Sequence, residues 1–456
     1  MKIIIRSFIL VFLLYTCESK IKSEKVANHD SLDSIATDLD SLIPFWQKDL
    51  NIPNVAVGII HNGKVYKTSV YGTLNGKKAP KDMLFNIASI TKVVFGSTVM
   101  KLVQNGSWDL DEPLFQYYID PDVKNDPNHK LLTSRHVLSQ QSGFVNWRWN
   151  HPTEKLTFDF KPGTKFNYSG EGMEYLRKAI ESKFNLSWED IADSLLFKPM
   201  NLKNTSHSWD GESNFERFSK FYDTDGKEHL LEDHSFEVSA ADDIMTTIDD
   251  LTLFGTQIMD GSYLAEATSK EMMTKQIAIN ANQDQALGWR RIDQLNNDEY
   301  AIHHGGNDIG VAALIVLLPK SKRGVVVLTN GDAGIVMCNN IVRKVFAEGK
   351  EIIHRAYRSN SMDEIPQAIK ISEDLLDAYV GTYEQPSGRR IEISKSGEGL
   401  LMKMAGVPNF QLYPESDRLF FLMDFDPKIE FEKTNTGDLV LKILEGENTI
   451  ICKRVP

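Results

Sequence analysis

Blocks of apolar and polar residues divide the chain into strands, a helical middle, and strands again. Val55-Ala56-Val57-Gly58-Ile59-Ile60 is a continuous apolar run of strand length. His61-Asn62-Gly63-Lys64 follows, with the Asn-Gly pair that a tight hairpin needs, and Val65-Tyr66-Lys67-Thr68-Ser69-Val70 returns as its partner. Ile90, Val93, Val94, Val99 and Met100 predict a largely buried helix that starts at Ser89 and ends near Asn105-Gly106. From about 108 to 285 the pattern is helical with long polar loops: helices are expected at 133–138, 172–184, 188–196 and 243–259. The last carries Ile244, Ile248, Leu251 and Phe254 at helical spacing. Apolar, β-branched strands resume at 312–318 and 324–329, with a turn at 319–323 and a closing helix at 339–349. The two strand sets can pair into one antiparallel sheet, flanked by helices and facing an all-α lobe. The fold class is therefore α/β in the α+β sense, with a cleft between sheet and lobe as the natural place for a site.

Beyond this unit, residues 356–370 read as a linker containing Arg358-Ser359-Asn360-Ser361 and Pro366. Ser372 caps a short helix at 373–379. Short strands then recur at 389–394, 399–404, 409–413, 418–424, 428–433, 439–444 and 449–454, with turns at Ser387-Gly388, Ser396-Gly397 and Thr436-Gly437. That even spacing predicts a small β-barrel or sandwich over 371–456.

The N-terminus has the layout of an export signal. Lys2 and Arg6 supply the positive start, and Phe8-Ile9-Leu10-Val11-Phe12-Leu13-Leu14 is an apolar core too short to span a bilayer as a mature helix. The sequence Leu14-Tyr15-Thr16-Cys17 resembles a bacterial lipoprotein signal, with Cys17 as the lipid-bearing residue. Simple signal cleavage and a retained anchor are the alternatives, because Tyr15 and Thr16 are larger than the usual residues there. On this reading residues 1–17 are the signal, 18–37 a polar tether and 38–355 the main domain. The protein is expected in the periplasm or cell envelope, touching membrane only through that anchor.

Composition narrows the partners further. The 456 residues are 41% hydrophobic and 25% charged, as in an ordinary globular protein. The net charge of −12 is spread along the chain, and no basic cluster is interleaved with aromatics, so nucleic acid is not an expected partner. Cys338 and Cys452 lie far apart, and a disulfide between them is not indicated. With no Cys/His cluster at ligand spacing, neither a structural metal nor a cofactor is expected. The oligomeric state is not legible in the sequence.

The chemistry centres on Ser89-Ile90-Thr91-Lys92. A serine and a lysine three residues apart on a helix share one face, so the amine can take the hydroxyl proton and make Ser89 a nucleophile. The spacing alone is weak; Ser19 and Lys22 show it too. Three further segments support it. Phe160-Lys161-Pro162-Gly163-Thr164-Lys165-Phe166-Asn167-Tyr168-Ser169-Gly170 places Tyr168 just before a helix, as a second proton carrier or as an ordinary core aromatic. His303-His304-Gly305-Gly306-Asn307-Asp308-Ile309-Gly310 puts small residues on a strand, where substrate can lie against backbone and a free N–H can join that of Ser89 as an oxyanion hole. The segment from Ser134 to Phe144 is a helix end placed to buttress the cleft, with His136 as a brace, and Trp147 and Trp149 are either an aromatic platform or ordinary packing.

Taken together, these segments resemble the serine β-lactamase and penicillin-binding-protein superfamily, nearest its branch of class C β-lactamases, D-alanyl-D-alanine carboxypeptidases, D-aminopeptidases and esterases. The resemblance covers about residues 40–350. It includes Pro162-Gly163, Ala240-Ala241-Asp242-Asp243-Ile244-Met245-Thr246-Thr247-Ile248-Asp249-Asp250-Leu251, Leu287-Gly288-Trp289, His304-Gly305-Gly306, Gly310 and Pro319. Residues 370–456 look like the lipocalin-like domain often appended to such enzymes. The resemblance implies Ser89 as acylated nucleophile, Lys92 as its base, and Tyr168 as the tyrosine sharing protons with that lysine. It also implies His304, Gly305, Gly306 and Asn307 beside the substrate, with the Ser89 and Asn307 amides as oxyanion hole. Two departures stand out: Gly170 replaces a substrate-holding Asn, and His304 replaces the lysine of Lys-Thr-Gly. Both fit an esterase or D-amino-acid peptidase better than an efficient β-lactamase, acting on a small-molecule or peptide-like substrate. The rival reading is a non-catalytic pseudoenzyme or ligand sensor, against which the intact Ser89, Lys92 and Tyr168 argue.

Overall fold

The computed structural model describes residues 32–208, 216–230, 237–358, 366–397, 399–404, 407–446 and 448–455. The export signal, Cys17 and most of the expected tether lie outside them. The remainder of that tether is corrected: α1 (Leu32–Asp49) is a helix, not a polar strap, because Ile35, Ala36, Leu39 and Ile43 recur at helical spacing and are buried.

Among the described residues a nine-stranded antiparallel sheet forms the centre of the main domain. Its long strands are β1 (Asn54–His61), β2 (Lys64–Leu74), β3 (Arg290–Leu295), β4 (Glu299–Asp308), β5 (Val311–Leu318) and β6 (Arg323–Thr329), in the spatial order β2-β1-β6-β5-β4-β3, with short strands at both edges. The two sequence-distant strand sets meet where β1 pairs with β6, Val57 opposite Val327. The apolar runs are continuous because both faces are covered. Ala56, Ala313, Ile315, Val326 and Leu328 pack toward the helical lobe. Val55, Val57, Leu314, Val316, Val325 and Val327 pack on the other side with α1 and the closing helices.

α2 (Thr91–Gln104) runs through the first of these cores, and α3 (Gly170–Phe184) begins at Ser169, whose hydroxyl accepts the Gly172 N–H. The helix expected at 243–259 starts later, as α4 (Ile248–Asp260). Before it Asp243 takes φ +74° and Met245–Thr246 pairs with Phe85–Asn86 as a two-residue ribbon; Thr247, capping the Asp250 N–H, sets the true start. The single closing helix is two, α5 (Gly334–Val345) and α6 (Gly349–Tyr357). α6 runs into the expected linker, and Arg358 directly after it is buried, so residues 356–358 belong to the packed body.

After α7 (Glu373–Tyr379), eight strands close into a barrel: β7 (Gly381–Glu384), β8 (Arg390–Ser396), β9 (Gly399–Met404), β10 (Val407–Pro414), β11 (Leu419–Phe421), β12 (Lys428–Lys433), β13 (Leu439–Glu445) and β14 (Asn448–Val455). The unexpected member is β7, which buries only Tyr383 yet pairs with both β8 and β14 and so closes the ring. Tyr383, Ile391, Leu400, Leu412, Phe420, Ile429, Phe431, Leu441 and Cys452 fill the interior.

Candidate active site

Ser89 sits at the centre of a 3₁₀ turn, Ala88–Ile90, that leads directly into α2. The turn is strained: Ala88 takes φ +42°, a conformation a residue with a Cβ rarely adopts. Asn86 helps hold it, its Oδ1 accepting the Ala88 N–H at 2.6 Å. One turn on, the Lys92 amine lies 3.0 Å from Ser89 Oγ and donates to the Ala241 carbonyl at 2.8 Å; the side chain is 1% exposed. The amine also stands 4.8 Å from the centre of the Tyr168 ring. Serine, lysine and tyrosine therefore meet at one point.

The surrounding loops fix that meeting. Gln140 takes the backbone N–H of Asn167 on its carbonyl and that of Ser169 on its side chain, and so brackets Tyr168. The expected buttress from Ser134 to Phe144 thus acts on the tyrosine, while His136 packs under the bend at Gly163. Glu174 on α3 accepts from the Ser239 hydroxyl at 2.8 Å and the Ala240 N–H at 2.7 Å. It thereby anchors the loop whose next carbonyl holds Lys92. Locally Glu174 shows only an ion pair with Arg177, and nothing in that pattern announces its hold on Ser239 and Ala240, which lie more than sixty positions away.

The opposite wall is β4. His304, Gly305 and Asn307 line a cleft of about 650 Å³ together with Ser89, Lys92 and Tyr168. Gly306 packs against the turn that carries Ser89: a Cβ there would stand 2.1 Å from the Ile87 carbonyl oxygen, so this glycine lets β4 lie close to that turn. His304 is 3% exposed, with its ring 6.3 Å from that of Tyr168. Its Nδ1 is 2.8 Å from the Gly305 carbonyl, which can only accept, so Nδ1 carries the proton and Nε2 is left as an acceptor. Burial first, then Arg290 and Lys92, hold His304 well below the usual histidine range; burial and Arg290 hold His303 at about 3. Both rings are neutral near pH 7.

Sequence reasoning missed the cleft's other charged groups. Arg290, on β3 opposite His303, places its guanidinium carbon 5.9 Å from the Tyr168 ring centre. Asp242, Asp243 and Asp308 line the other end, where burial and then Asp242 push Asp243 up to about 8. Trp147 and Trp149 stack at 4.8 Å. A Cβ on Gly170 would meet the Trp147 ring at 2.5 Å, so an indole occupies the space beside this position. Among the described residues no group of three or more His, Cys, Asp or Glu side chains is arranged to hold a metal, and Cys338 and Cys452 are both free and buried.

The beta-lactamase family model matches residues 39–337. The chain belongs to the beta-lactamase family. A second model, a domain of unknown function (DUF3471), matches residues 366–444. Among curated proteins, the chain is 26% identical over 320 residues to Protein flp of Staphylococcus aureus (strain MW2), a match covering 64% of this chain and 62% of that protein. It is 21% identical over 402 residues to Penicillin-binding protein 4* of Bacillus subtilis (strain 168), covering 79% and 85%. The octameric penicillin-binding protein homologue from Pyrococcus abyssi superposes with a TM-score of 0.59 at 17% identity, over 92% of this chain and all of that one. D-alanine carboxypeptidase AmpC from Burkholderia cenocepacia gives 0.60 at 18%, over 69% and 99%. At these identities the superpositions establish the fold. The chain spans less than two thirds of the length of Protein flp, the first of these curated relatives.

Proposed function

We propose that the chain hydrolyses an ester or a D-amino-acid amide through an acyl-enzyme on Ser89. The observation that carries this reading is the 3.0 Å contact between Ser89 Oγ and the buried Lys92 amine. In its deprotonated form the amine takes the hydroxyl proton as Oγ bonds to the carbonyl carbon. The Ser89 amide, in the first helical turn where N–H groups lack intrahelical acceptors, and the Asn307 amide receive the oxyanion. The bond to the leaving oxygen or nitrogen then breaks, and that atom takes its proton from the Lys92–Tyr168 pair. Water next attacks the acyl carbon, gives a proton to the same pair, and Ser89 is released with its proton restored. No cofactor enters these steps.

Substrate choice follows from the other walls. An indole stands beside Gly170, and His304 is neutral where a lysine would offer a fixed charge. Both favour an ester or peptide over a typical β-lactam. Arg290 is a cleft cation suited to a carboxylate, which favours the peptide among these two. Export with Cys17 lipidated completes the proposal and would place the enzyme at the cell envelope.

A fluorophosphonate or a fluorescent penicillin is expected to label the wild type and not Ser89→Ala. Absence of any label on Ser89 overturns the enzyme in favour of a non-catalytic binder. Hydrolysis of p-nitrophenyl esters, D-alanyl peptides and nitrocefin then ranks the substrates, with nitrocefin expected last.

A further inference from the structure

The barrel meets the main domain at α5 and the end of α6: β10 lies against α5, and the loop of residues 422–426 between β11 and β12 reaches both helices. Asp424 accepts from Asn339 at 3.2 Å and pairs with Arg343, both on α5. The Leu422 carbonyl accepts from Arg358 at 2.7 Å, and Asp426 stands 3.5 Å from the same guanidinium. Between these polar clamps, the Phe425 ring packs at 5.8 Å from that of Tyr357 and at 5.4 Å from Phe410 of the barrel. Asn339 is fully buried and Arg358 2% exposed, so the clamps are shielded from water on the main-domain side at these two residues, while the Asp426 side chain stays 35% exposed.

Tyr357 is the residue that gives this junction meaning. It is the last residue of α6 and lines the same cleft as Ser89. Its hydroxyl stands 4.0 Å from where a Cβ on Gly305 would lie. The ring is thus a wall of the cleft, backed by the barrel. A helix end held on one side only frays readily; here Arg358 and Phe425 pin it from beyond.

We propose that the C-terminal barrel works as a brace for the active site: its 422–426 loop fixes Tyr357 as a positioning residue that sets how the cleft grips substrate, while the chemistry at Ser89 proceeds without it. This rests on the hydrolase reading above and gives the domain of unknown function a task within it.

The test uses the full chain carrying Phe425→Ala, with Phe425→Leu as the volume-conserving control. Two readouts are needed. With a p-nitrophenyl ester, Phe425→Ala is expected to raise KM by about threefold to tenfold with kcat within about twofold, and Phe425→Leu to restore most of the loss. Tyr357→Phe, alone and combined with Phe425→Ala, is expected to be non-additive, the double variant being no worse than Phe425→Ala. Amide hydrogen exchange is expected to quicken at residues 353–358 in Phe425→Ala while the β1–β6 pairing stays protected. Unchanged KM, additive effects or unchanged exchange overturns the brace. If the wild type neither hydrolyses the ester nor takes the fluorophosphonate, the hydrolase reading fails, and the exchange measurement still decides whether the barrel holds Tyr357.

Discussion

The two walls of the cleft are built on opposite plans. On the helical side, the backbone segments around Ser89, Lys92 and Tyr168 are tied by specific polar contacts: Asn86 to Ala88, Glu174 to Ala240, Gln140 to Ser169. On the strand side, buried polar atoms are left without a protein partner, among them Arg290 Nε and His303 Nε2. Satisfied networks rigidify what they hold, whereas an unmatched buried donor costs about 1–3 kcal/mol and is retained where something else uses it. On the proposed mechanism the helical wall holds the reacting groups and the strand wall receives the ligand.

The largest test of this division is Lys92→Ala. It removes the proposed base and the tie to Ala241 together, and kcat/KM for an ester is expected to fall by about 10³-fold or more. Activity within about tenfold of wild type would place the base elsewhere. A smaller loss is expected from Gly306→Ala. Its Cβ would collide with the Ile87 carbonyl and push β4 from the turn that carries Ser89, and kcat is expected to fall by about 10²-fold. Gly305→Ala meets nothing closer than 3.8 Å and is expected to stay within about threefold. If the two alanine variants behave alike, close approach is not what Gly306 provides. Glu174→Gln comes next. It keeps the shape but weakens the charged acceptor for Ser239 and Ala240, so kcat is expected to fall about tenfold with KM nearly unchanged. A shift in KM alone would move Glu174 from the chemical wall to the binding one.

What the sequence disclosed follows the same line. Ser89 and Lys92 are three positions apart, so a local rule finds them, and the apolar runs of β1, β5 and β6 announce a buried sheet. β3 was not legible, because Arg290, Arg291, Asp293 and Gln294 interrupt its apolar positions. α1 was missed because Asp33, Asp38, Asp40 and the internal Pro44 interrupt its apolar positions. β7 was missed because a four-residue strand carries too little pattern. Glu174, Arg290 and Tyr357 were missed for a different reason. Each gains its place from a partner distant in sequence, and spacing holds no trace of such a meeting. Asp242 and Asp243 were visible as letters inside a helical pattern, and only the left-handed backbone at Asp243 shows that they leave it.

That acidic corner gives the smallest of the expected effects, and the one that separates stability from catalysis. Asp243 is buried, and burial, Asp242 and Asp308 raise its folded pKa to about 8 from an ordinary value near 4. Between those values the folded state binds more protons than the unfolded chain. Its contribution is therefore fully present below about pH 4 and is lost as pH rises through about 8. The wild type should melt lower at pH 8.5 than at pH 5. Asp243→Asn carries no charge at either pH, and asparagine accepts the φ of +74°. It is expected to flatten this slope and to gain about 1 kcal/mol over wild type at pH 8.5, or about 2–4 °C in Tm. Asp242, also raised chiefly by burial, keeps part of the slope. If Asp243→Asn and wild type lose stability in parallel between pH 5 and 8.5, Asp243 is ionised throughout and the corner is a charged surface. If the slope flattens, the cleft holds a proton at neutral pH on Asp243, between the carboxylates of Asp242 and Asp308 that oppose its ionisation.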